Sequence, residues 1–547
     1  MTTQPRARVV GVVVAGVPCV AVFLLLTVPR VHWGPVNGTG QDDWYNAVRA
    51  LRALYEGFDP SYFVHPALFY ELLGILYGIR SLWLSAMHEL TADVGLVEYF
   101  LVHQVQFLDL AHCASITYAA LAVVASVWLG TTLSGAAGGL LAGLIVASLP
   151  LLQALANCIR VDTLSLAALL AATALVVRCR WDPSRRALFL AAAMVGVAAA
   201  ANYPGALLLA LLGWLLPGER RLVRFGEACA QAFAVFLLLN PYVVLDFPLF
   251  RRWFTFQGNV AFLTHPHAEE PSVTRYLILL TKQGAAPILA CFAAVLAITR
   301  PREPIGAIAV YGLVQFAAFS LMRSQYERFV LPAITLLCIA GASWICVQLA
   351  RIRPWGPSAF AVVAIPLVLW GAAVAFRKPL PGSETDRPDY RRDMFDWIAA
   401  KVSPSATLLI ESDTMPLLQI AYDRGDRESP FQDALRRAFE KLNPRFVRKI
   451  TKCQFIAAVY NYDPKLIESP DAFFLASSEN REFIDHNRAV LPEPAAFYDA
   501  LDGRATIVHE SGGYHEKLVL YAMKRSPPAT SSRSRAAPRR TRALHPA

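Results

Sequence analysis

The sequence has little charge for its length. Only 17% of its 547 residues are charged and 55% are hydrophobic, whereas soluble proteins carry about a quarter charged residues. The mean hydropathy is +0.41. Repeated apolar runs about as long as a bilayer is thick predict a polytopic α-helical membrane protein. The net charge of +10 agrees with Lys and Arg held in cytoplasmic loops, and no basic-aromatic motif points to nucleic acid.

Closely spaced cysteine pairs are also missing, and so is an evident cleavage site after the first apolar run. The nine cysteines include no C-x-x-C pair, and Cys453 is the sole cysteine of the polar C-terminal region. We therefore expect neither an internal disulfide nor a structural zinc site in that region. No A-x-A site follows the first apolar run, Val9 to Val28, which we interpret as an uncleaved first span, with a signal peptide as the alternative.

The apolar runs predict about eleven spans. They are Val9–Val28, Leu108–Leu129, Ala136–Leu152, Leu164–Val177, Ala187–Ala201, Pro204–Leu216, Ala228–Leu245, Ala285–Thr299, Gly306–Leu321, Phe329–Leu349 and Pro357–Phe376. The run from 187 to 216 is split at "NYP" because Pro204 disfavours helix at the preceding residue.

Arginine clusters set the predicted orientation. They lie in alternate loops, at 178–186, 220–224, 300–302 and 351–353. We expect these loops and the N-terminus to lie on the cytoplasmic side of a bacterial inner membrane. Two long loops, 29–105 and 246–284, then lie on the external side. The apolar segment His65–Met87 contains Glu71 and Arg80, which favours a helix in the membrane interface over a further span. We expect a second interfacial helix in the same loop.

The composition changes after residue 376, where the membrane domain (1–376) ends. A linker is predicted at 377–390 and an extracytoplasmic α/β domain at 391–525, because helical stretches there alternate with strand-like runs such as "ATLLIES", "QFIAAVY", "DAFFLAS" and "KLVLYAMK". The acid-free tail at 526–547 is predicted to be disordered.

An acidic pair opens the first external loop, in "GTGQDDWYNAVRALRALY". Apolar residues recur on one helical face after it. Asp42 therefore has two interpretations. It is either a helix cap, with Asp43 favouring the helix dipole, or a general base at the membrane surface that accepts a proton from an attacking hydroxyl. His65 and two arginines share the loop and would suit a phosphate.

The loop resembles one found in GT-C glycosyltransferases of the protein O-mannosyltransferase and aminoarabinose transferase superfamily. In that family an acidic pair, usually Asp-Glu, heads a loop helix and precedes an "hPpL" motif, here "HPALFY". "NCIRVDTLSLAALL" is similar to its A-R-x-D segment, "ANYPGALLL" to its Lys-Tyr segment and "SQYERFVLPAITLL" to its Arg-Tyr-to-Pro run. The likeness covers about residues 9 to 350.

The resemblance implies an inverting transfer of a sugar from a polyprenyl-phosphate donor to an extracytoplasmic acceptor, with no cofactor. It makes Asp42 the base and gives Asp43 a role in orienting the acceptor or supporting Asp42. The implied substrate- and phosphate-binding residues are His65, Arg160, Asp162, Asn202, Tyr203, Lys282, Arg323 and Arg328. For the arginines, anchoring at the interface is the alternative role. Asp43 and Asn202 depart from the Glu and Lys usual in the family.

Two further alternatives stay open. "THPHAEEP" offers His265 and His267 beside Glu269 and Glu270 as a possible metal site, although no further ligand is in view and a polar substrate-contacting loop is the simpler interpretation. A lipid or sugar transporter, or an inactive GT-C-like scaffold, would also be a polytopic protein. A transporter usually shows repeats and ionisable residues deep within its spans, whereas here the acids gather in loops.

Overall fold

The computed structural model describes residues 5–30, 42–59, 62–90, 95–262, 273–322, 326–351, 356–377, 390–403, 405–411, 414, 429–442, 453–456, 462–486, 488, 491–512 and 517–524. Two compact units are present. One comprises Met1–Pro388 with Pro416–Leu442, and the other comprises Asp389–Met415 with Asn443–Ala547.

The first unit is helical throughout its described residues. Its helices are α1 (Pro5–Thr27), α2 (Asp42–Tyr55), α3 (Leu68–Ala86), α4 (Leu96–Val102), α5 (Gln104–Ala147), α6 (Pro150–Ala156), α7 (Asp162–Arg178), α8 (Arg185–Ala201), α9 (Leu208–Leu215), α10 (Arg221–Leu239), α11 (Tyr242–Leu245), α12 (Phe247–Phe262), α13 (Val273–Thr281), α14 (Ala286–Thr299), α15 (Pro304–Ser320), α16 (Leu331–Arg351) and α17 (Gly356–Arg377), with α19 (Pro430–Leu442) added from later in the chain. Helix α5 lies at the centre and packs on α1, α7 and α16.

Helix α5 is a tight helical hairpin. Gly135 has φ 84° and ψ −176° and interrupts the helical backbone, in a conformation that is accessible almost only to glycine. A Cβ atom added to Gly130 would lie 2.7 Å from the carbonyl oxygen of Gly138, so the two arms touch on either side of the turn. The arms correspond to the two separate spans predicted at 108–129 and 136–152.

Among the described residues, four helices are long and apolar enough to cross a membrane. They are Val10–Thr27, Gln104–Ala147, Arg221–Leu239 and Glu327–Arg351, and a pair bent by 111°, Ala286–Thr299 with Pro304–Ser320, adds a fifth if it is one span. Tyr203–Leu215 and Ile365–Val374 are shorter apolar helices. This number is smaller than the eleven spans predicted, mainly because the α5 hairpin is counted once and several predicted spans are shorter than a full crossing.

The break predicted at residues 202–204 is present. Helix α8 ends at Ala201, and a 3₁₀ turn, Tyr203–Leu207, precedes α9. Gly205 lies in this turn, and a Cβ atom there would come within 2.4 Å of the Ala198 carbonyl. The turn therefore folds back tightly on α8, which a continuous helix would not allow.

Helix α3 has two apolar faces in different surroundings. Leu73 and Tyr77 are fully buried, whereas Ile75, Ile79 and Leu82 are exposed. An exposed apolar stripe at this spacing is typical of a helix that lies against lipid. The loop at 29–105 also holds a third helix, α4, that the sequence pattern did not predict.

The second unit is a small α/β domain. Its strands are β1 (Thr407–Glu411), β2 (Cys453–Ile456), β3 (Ala472–Ser477), β4 (Ala505–Gly512) and β5 (Lys517–Met523), and its helices are α18 (Tyr390–Lys401), α20 (Ser478–His486) and α21 (Pro492–Arg504). The sheet order is β2-β1-β3-β5-β4. Strand β1 is parallel to β2 and β3, and β5 is antiparallel to β3 and β4. Four strands lie where strand-like runs were predicted, and β4 was missed.

A buried carboxylate joins β1 to β3 in this domain. Glu411 accepts hydrogen bonds from the hydroxyls of Tyr462 (2.5 Å) and Tyr498 (2.8 Å) and from the backbone N–H of Ser477 (2.9 Å). Burial raises the pKa of Glu411, although these donors oppose the shift. The carboxylate satisfies two buried hydroxyls, so its evident role is to hold the core together.

Candidate active site

Helix α2 carries the acidic pair. Asp42 is its first residue, and its side chain lies outside the described part of the structure. Asp43 is the second residue and is buried, as are Ala47 and Leu51 on the same side of the helix. This apolar face packs against α3. Asp43 therefore lies on the buried face of the amphipathic helix that the periodicity predicted.

Two polar side chains of α2 hold one residue of a distant loop. The Asp43 carboxylate accepts a hydrogen bond from the backbone N–H of Ile159 at 2.9 Å, and the Asn46 amide donates to the carbonyl of the same residue at 2.7 Å. The Tyr70 hydroxyl donates to the Asn46 side-chain oxygen at 3.1 Å. We call this arrangement the Ile159 clamp. It fixes α2 against the loop that carries Arg160 and leads into α7.

A histidine that the sequence pattern did not single out faces Asp43. The Nε2 atom of His112, on α5, lies 4.0 Å from a carboxylate oxygen of Asp43, and both side chains are almost fully buried. A protonated imidazole at this distance would pair with the carboxylate. The sequence feature that could have identified His112 is an ionisable side chain inside an apolar run.

Four charged residues gather around Cys158, in the loop between α6 and α7. Burial, as the largest cause, and the carboxylates of Asp43 and Asp162 raise the pKa of the Cys158 thiol to about 12, and the guanidinium groups of Arg160 and Arg328 oppose this rise. Two acids and two arginines from separate parts of the chain therefore lie within electrostatic reach of one point. Three of these four residues were predicted as binding residues, Arg160 and Asp162 from one motif and Arg328 from another, and the fourth belongs to the acidic pair.

The same end of the bundle holds Tyr203 and the "HPAL" segment. The Tyr203 hydroxyl donates to the carbonyl of Phe63 at 3.1 Å, and the backbone N–H of Ala67 donates to the buried Asn240 side chain at 2.7 Å. His65, between these two anchor points, is half-buried. Asn202 is half-buried and ends α8 in an extended conformation. Asn240 was not predicted as a site residue.

Aromatic rings surround Tyr203 and the neighbouring residues of the candidate site. The Tyr203 ring lies edge-on to Phe254 with centroids 5.9 Å apart and to Phe250 at 6.3 Å. The Arg49 guanidinium lies 3.5 Å from the centre of the Tyr62 ring, in cation–π contact. Aromatic faces of this kind suit the apolar face of a sugar or a prenyl chain.

The remaining predicted residues fall elsewhere. Lys282 is exposed at the end of α13. Arg323, His265 and His267 lie outside the described residues. Within the residues that the structure does describe, no three His, Cys, Asp or Glu side chains are grouped as metal ligands would be.

Helix α19 braces the far end of α2. The backbone N–H of Phe431 donates to the Glu56 carboxylate at 3.4 Å, and the Phe431 ring meets Tyr55 edge-on at 6.0 Å. At its other end, Lys441 forms an ion pair with Glu98 of α4 at 2.9 Å. This amphipathic helix comes from the polar C-terminal part of the chain, yet it groups with the membrane unit.

The acidic site and the arginine clusters lie at opposite ends of the helices. Asp162 begins α7 and Arg178 ends it, and its 17 residues at ~1.5 Å each make the helix about 25 Å long. Helices α8 and α10 begin at Arg185 and Arg221 and end at the residues that precede Asn202 and Asn240. The site is therefore separated from the basic loops by most of a bilayer thickness.

No protein-family model matches the chain, and no curated protein matches it. Solved structures do match. The apo crystal structure of ArnT from Cupriavidus metallidurans is similar at 17% identity and a TM-score of 0.51, over 92% of this chain and 97% of that one. The apo oligosaccharyltransferase of Archaeoglobus fulgidus is similar at 10% identity and a TM-score of 0.54, over 90% of this chain and 72% of that one. ArnT bound to undecaprenyl phosphate also aligns, at 17% identity, with the same coverage and a TM-score of 0.48.

The chain thus has the fold of the GT-C glycosyltransferases. The resemblance inferred from its motifs is confirmed at the level of the fold.

Proposed function

We propose that this protein is an integral membrane glycosyltransferase that moves a sugar from a polyprenyl-phosphate donor to an extracytoplasmic acceptor. The observation that carries the proposal is the meeting of Asp43, on the acidic helix α2, with Arg160 and Arg328 around Cys158. The shared fold supports it. ArnT from Cupriavidus metallidurans has been crystallised with undecaprenyl phosphate, and its apo form has the fold of this chain.

In the proposed reaction Asp42 is the general base. Its carboxylate takes the proton from an acceptor hydroxyl, and the oxygen forms a bond to the anomeric carbon of the donor sugar. The bond from that carbon to the phosphate oxygen breaks, and the polyprenyl phosphate leaves with the electron pair. Attack opposite to the leaving group inverts the anomeric configuration. Base catalysis of this kind contributes about 10²- to 10⁴-fold to a rate.

Asp43 is assigned a positioning role. One of its oxygens already accepts the Ile159 N–H, and the other faces His112. Because these contacts occupy the Asp43 carboxylate, it fixes the position of α2. It thereby also positions Asp42, the first residue of the helix. This agrees with the supporting role that the resemblance implies for the second acid.

Arg160 and Arg328 are the proposed partners of the leaving phosphate. Guanidinium groups suit phosphate oxygens because they present paired N–H donors. The Arg328 guanidinium lies over the Tyr326 ring, 4.4 Å from its centre, which restricts its orientation. His65, Asn202 and Tyr203 are proposed to contact the sugar or acceptor. Lys282 and Arg323 stay predictions.

The proposed topology places the site outside the cytoplasm. Eleven crossings follow if each arm of the α5 hairpin, the 203–215 segment and each member of the bent α14–α15 pair crosses once. The arginine-bearing helix ends then lie on the cytoplasmic side of a bacterial inner membrane, and the C-terminal α/β domain is extracytoplasmic. The exposed apolar stripe of α3 supports a lipid-facing entrance.

Mass spectrometry of lipids from a deletion strain tests the proposal. Loss of the enzyme should cause one polyprenyl-phosphate sugar to accumulate. The wild-type chain should clear it and Asp42→Asn should not, whereas Asp182→Asn, the same change in a basic loop, should clear it normally. No accumulation in the deletion strain would favour the inactive scaffold, and full clearance by Asp42→Asn would favour a transporter.

A further inference from the structure

At the end of the bundle opposite to the acidic site, three loops enclose a cavity of about 400 Å³. Its lining includes one arginine from each loop, Arg180, Arg221 and Arg302, together with Trp214 and the Pro217–Gly218 turn. No carboxylate is among the residues that line it. We call it the three-arginine cavity. None of these residues belongs to the site proposed for glycosyl transfer.

The cavity has a braced frame. The Trp214 indole N–H donates to the carbonyl of Pro301 at 3.1 Å, which ties the end of α9 to the turn between α14 and α15. The Nε of Arg221 donates to the carbonyl of Gly213 at 2.6 Å, which ties α10 to α9. Gly218 adopts φ 89°, so the chain reverses here in a conformation that favours glycine. Side-chain-to-backbone hydrogen bonds therefore hold the segments that carry Arg221 and Arg302 against the end of α9.

A helix N-terminus adds to the positive potential. Helix α10 begins at Arg221, on the cavity wall, and has 19 residues. Its N-cap residue, Arg220, makes no side-chain capping bond, and the first turn contains no acid. The first backbone N–H groups of such a helix favour an anion.

Two acids of the neighbouring loops pair with arginines outside the lining, and a third, Glu219 beside Gly218, is exposed and is not among the lining residues. Asp182 pairs with Arg178 at 3.9 Å, and Glu303 pairs with Arg300 at 3.4 Å. Neither of these two arginines lines the cavity. The Asp182 and Glu303 carboxylates are therefore engaged outside the lining, whose own charged side chains are all arginines.

We propose that the three-arginine cavity binds the phosphate headgroup of an anionic phospholipid. The cavity lies at the ends of membrane helices, in the loops whose basic residues predict the cytoplasmic side. Phospholipid phosphates are concentrated at this depth, and a tryptophan at the cavity rim is typical of the membrane interface. Its volume accommodates a glycerophosphate headgroup, and three guanidinium groups exceed what a zwitterionic lipid needs.

Lipid titration of the full-length chain tests the proposal. Native mass spectrometry in neutral detergent would compare phosphatidylglycerol with phosphatidylcholine and, as a separate arm, inorganic phosphate. We expect phosphatidylglycerol to bind the wild type preferentially. Each change among Arg180→Gln, Arg221→Gln and Arg302→Gln should weaken it by about fivefold, and the triple change by about a hundredfold. The matched control, Arg224→Gln, lies one turn along α10 outside the lining and should bind normally.

Each opposing result would overturn the proposal. Equal binding of both lipids would mean that the cavity does not select charge, and an equal loss in Arg224→Gln would mean that the charge acts diffusely. Inorganic phosphate bound as tightly as phosphatidylglycerol would assign the cavity to a soluble anion. If the triple variant does not fold, the three single variants carry the same prediction. Glycosyl transfer is not the readout, so this result is independent of the proposed function.

Discussion

Breaking the Ile159 clamp should destabilise the membrane unit in a way that depends on what replaces Asp43. In Asp43→Ala the buried N–H of Ile159 loses its acceptor. A hydrogen bond to a charged group contributes ~1.5–3 kcal/mol, so we expect a loss of about 2 kcal/mol. Asp43→Asn keeps a side-chain oxygen at the same position, and a neutral acceptor is roughly half as strong. The asparagine variant should therefore lose about 1 kcal/mol.

The second half of the clamp gives an internal check. Asn46→Ala removes the donor to the Ile159 carbonyl and the acceptor of the Tyr70 hydroxyl, and each unsatisfied buried group costs ~1–3 kcal/mol. Because Asp43 and Asn46 hold the same residue, the double alanine variant should lose less than the sum of the single variants.

Denaturant unfolding in detergent, followed by tryptophan fluorescence, measures these differences. Asp182→Ala is the control because its carboxylate is 45% exposed in a 3.9 Å pair, and exposed pairs contribute ~0–1 kcal/mol. If Asp43→Ala unfolds at the same denaturant concentration as Asp182→Ala, the clamp does not hold α2. Additive losses in the double variant would also contradict the reasoning.

Three further predictions concern stability. Burial raises the pKa of Glu71 to about 7 from 4.5. The folded state then keeps a proton that the unfolded state releases, so stability should fall as pH rises from about 4.5 to about 7 and stay level above. Melting temperatures from pH 4 to 9 should show this fall in the wild type and not in Glu71→Gln. Gly135→Ala forces a side chain into a strained turn and should lower the free energy of unfolding by about 1–3 kcal/mol. Gly226→Ala, in open space on α10, is the control and should raise the free energy of unfolding by about 0.5–1 kcal/mol. Equal effects of the two changes in thermal unfolding would refute the hairpin. Lys441→Glu should loosen α19 by ~0.2–1 kcal/mol, and adding Glu98→Lys should restore it, as thermal unfolding of both variants would show.

Local patterns predicted much of the fold. Apolar length marked the two arms of α5, and Pro204 marked the break after α8, because both depend on residues close in sequence. Strand β4 escaped prediction because it lacks a regular alternation of buried and exposed residues: the neighbours Ile507 and Val508 are both exposed, and the pairing with β5 shifts register between Ile507 and His509.

Part of the candidate site follows from sequence motifs. Arg160, Asp162 and Arg328 belong to recognisable motifs, and the fold brings them together. Asn46, His112 and Asn240 were not found. Each has a partner at least 69 positions away in the chain, Ile159 for Asn46, Asp43 for His112 and Ala67 for Asn240, and no local periodicity records such contacts. The packing of α19 on α2 was missed for the same reason, since its amphipathic pattern fits any apolar surface.

The most direct test of the central claim uses the purified full-length chain in lipid vesicles. A panel of synthetic undecaprenyl-phosphate-linked hexoses and pentoses is supplied as donors, cell-envelope extract is supplied as acceptor, and the release of free undecaprenyl phosphate is measured. The wild type should consume one donor, and Asp42→Asn should release lipid phosphate at least a hundredfold more slowly. Donor consumption at the wild-type rate by Asp42→Asn, or no consumption of any donor by the wild type, would contradict the account.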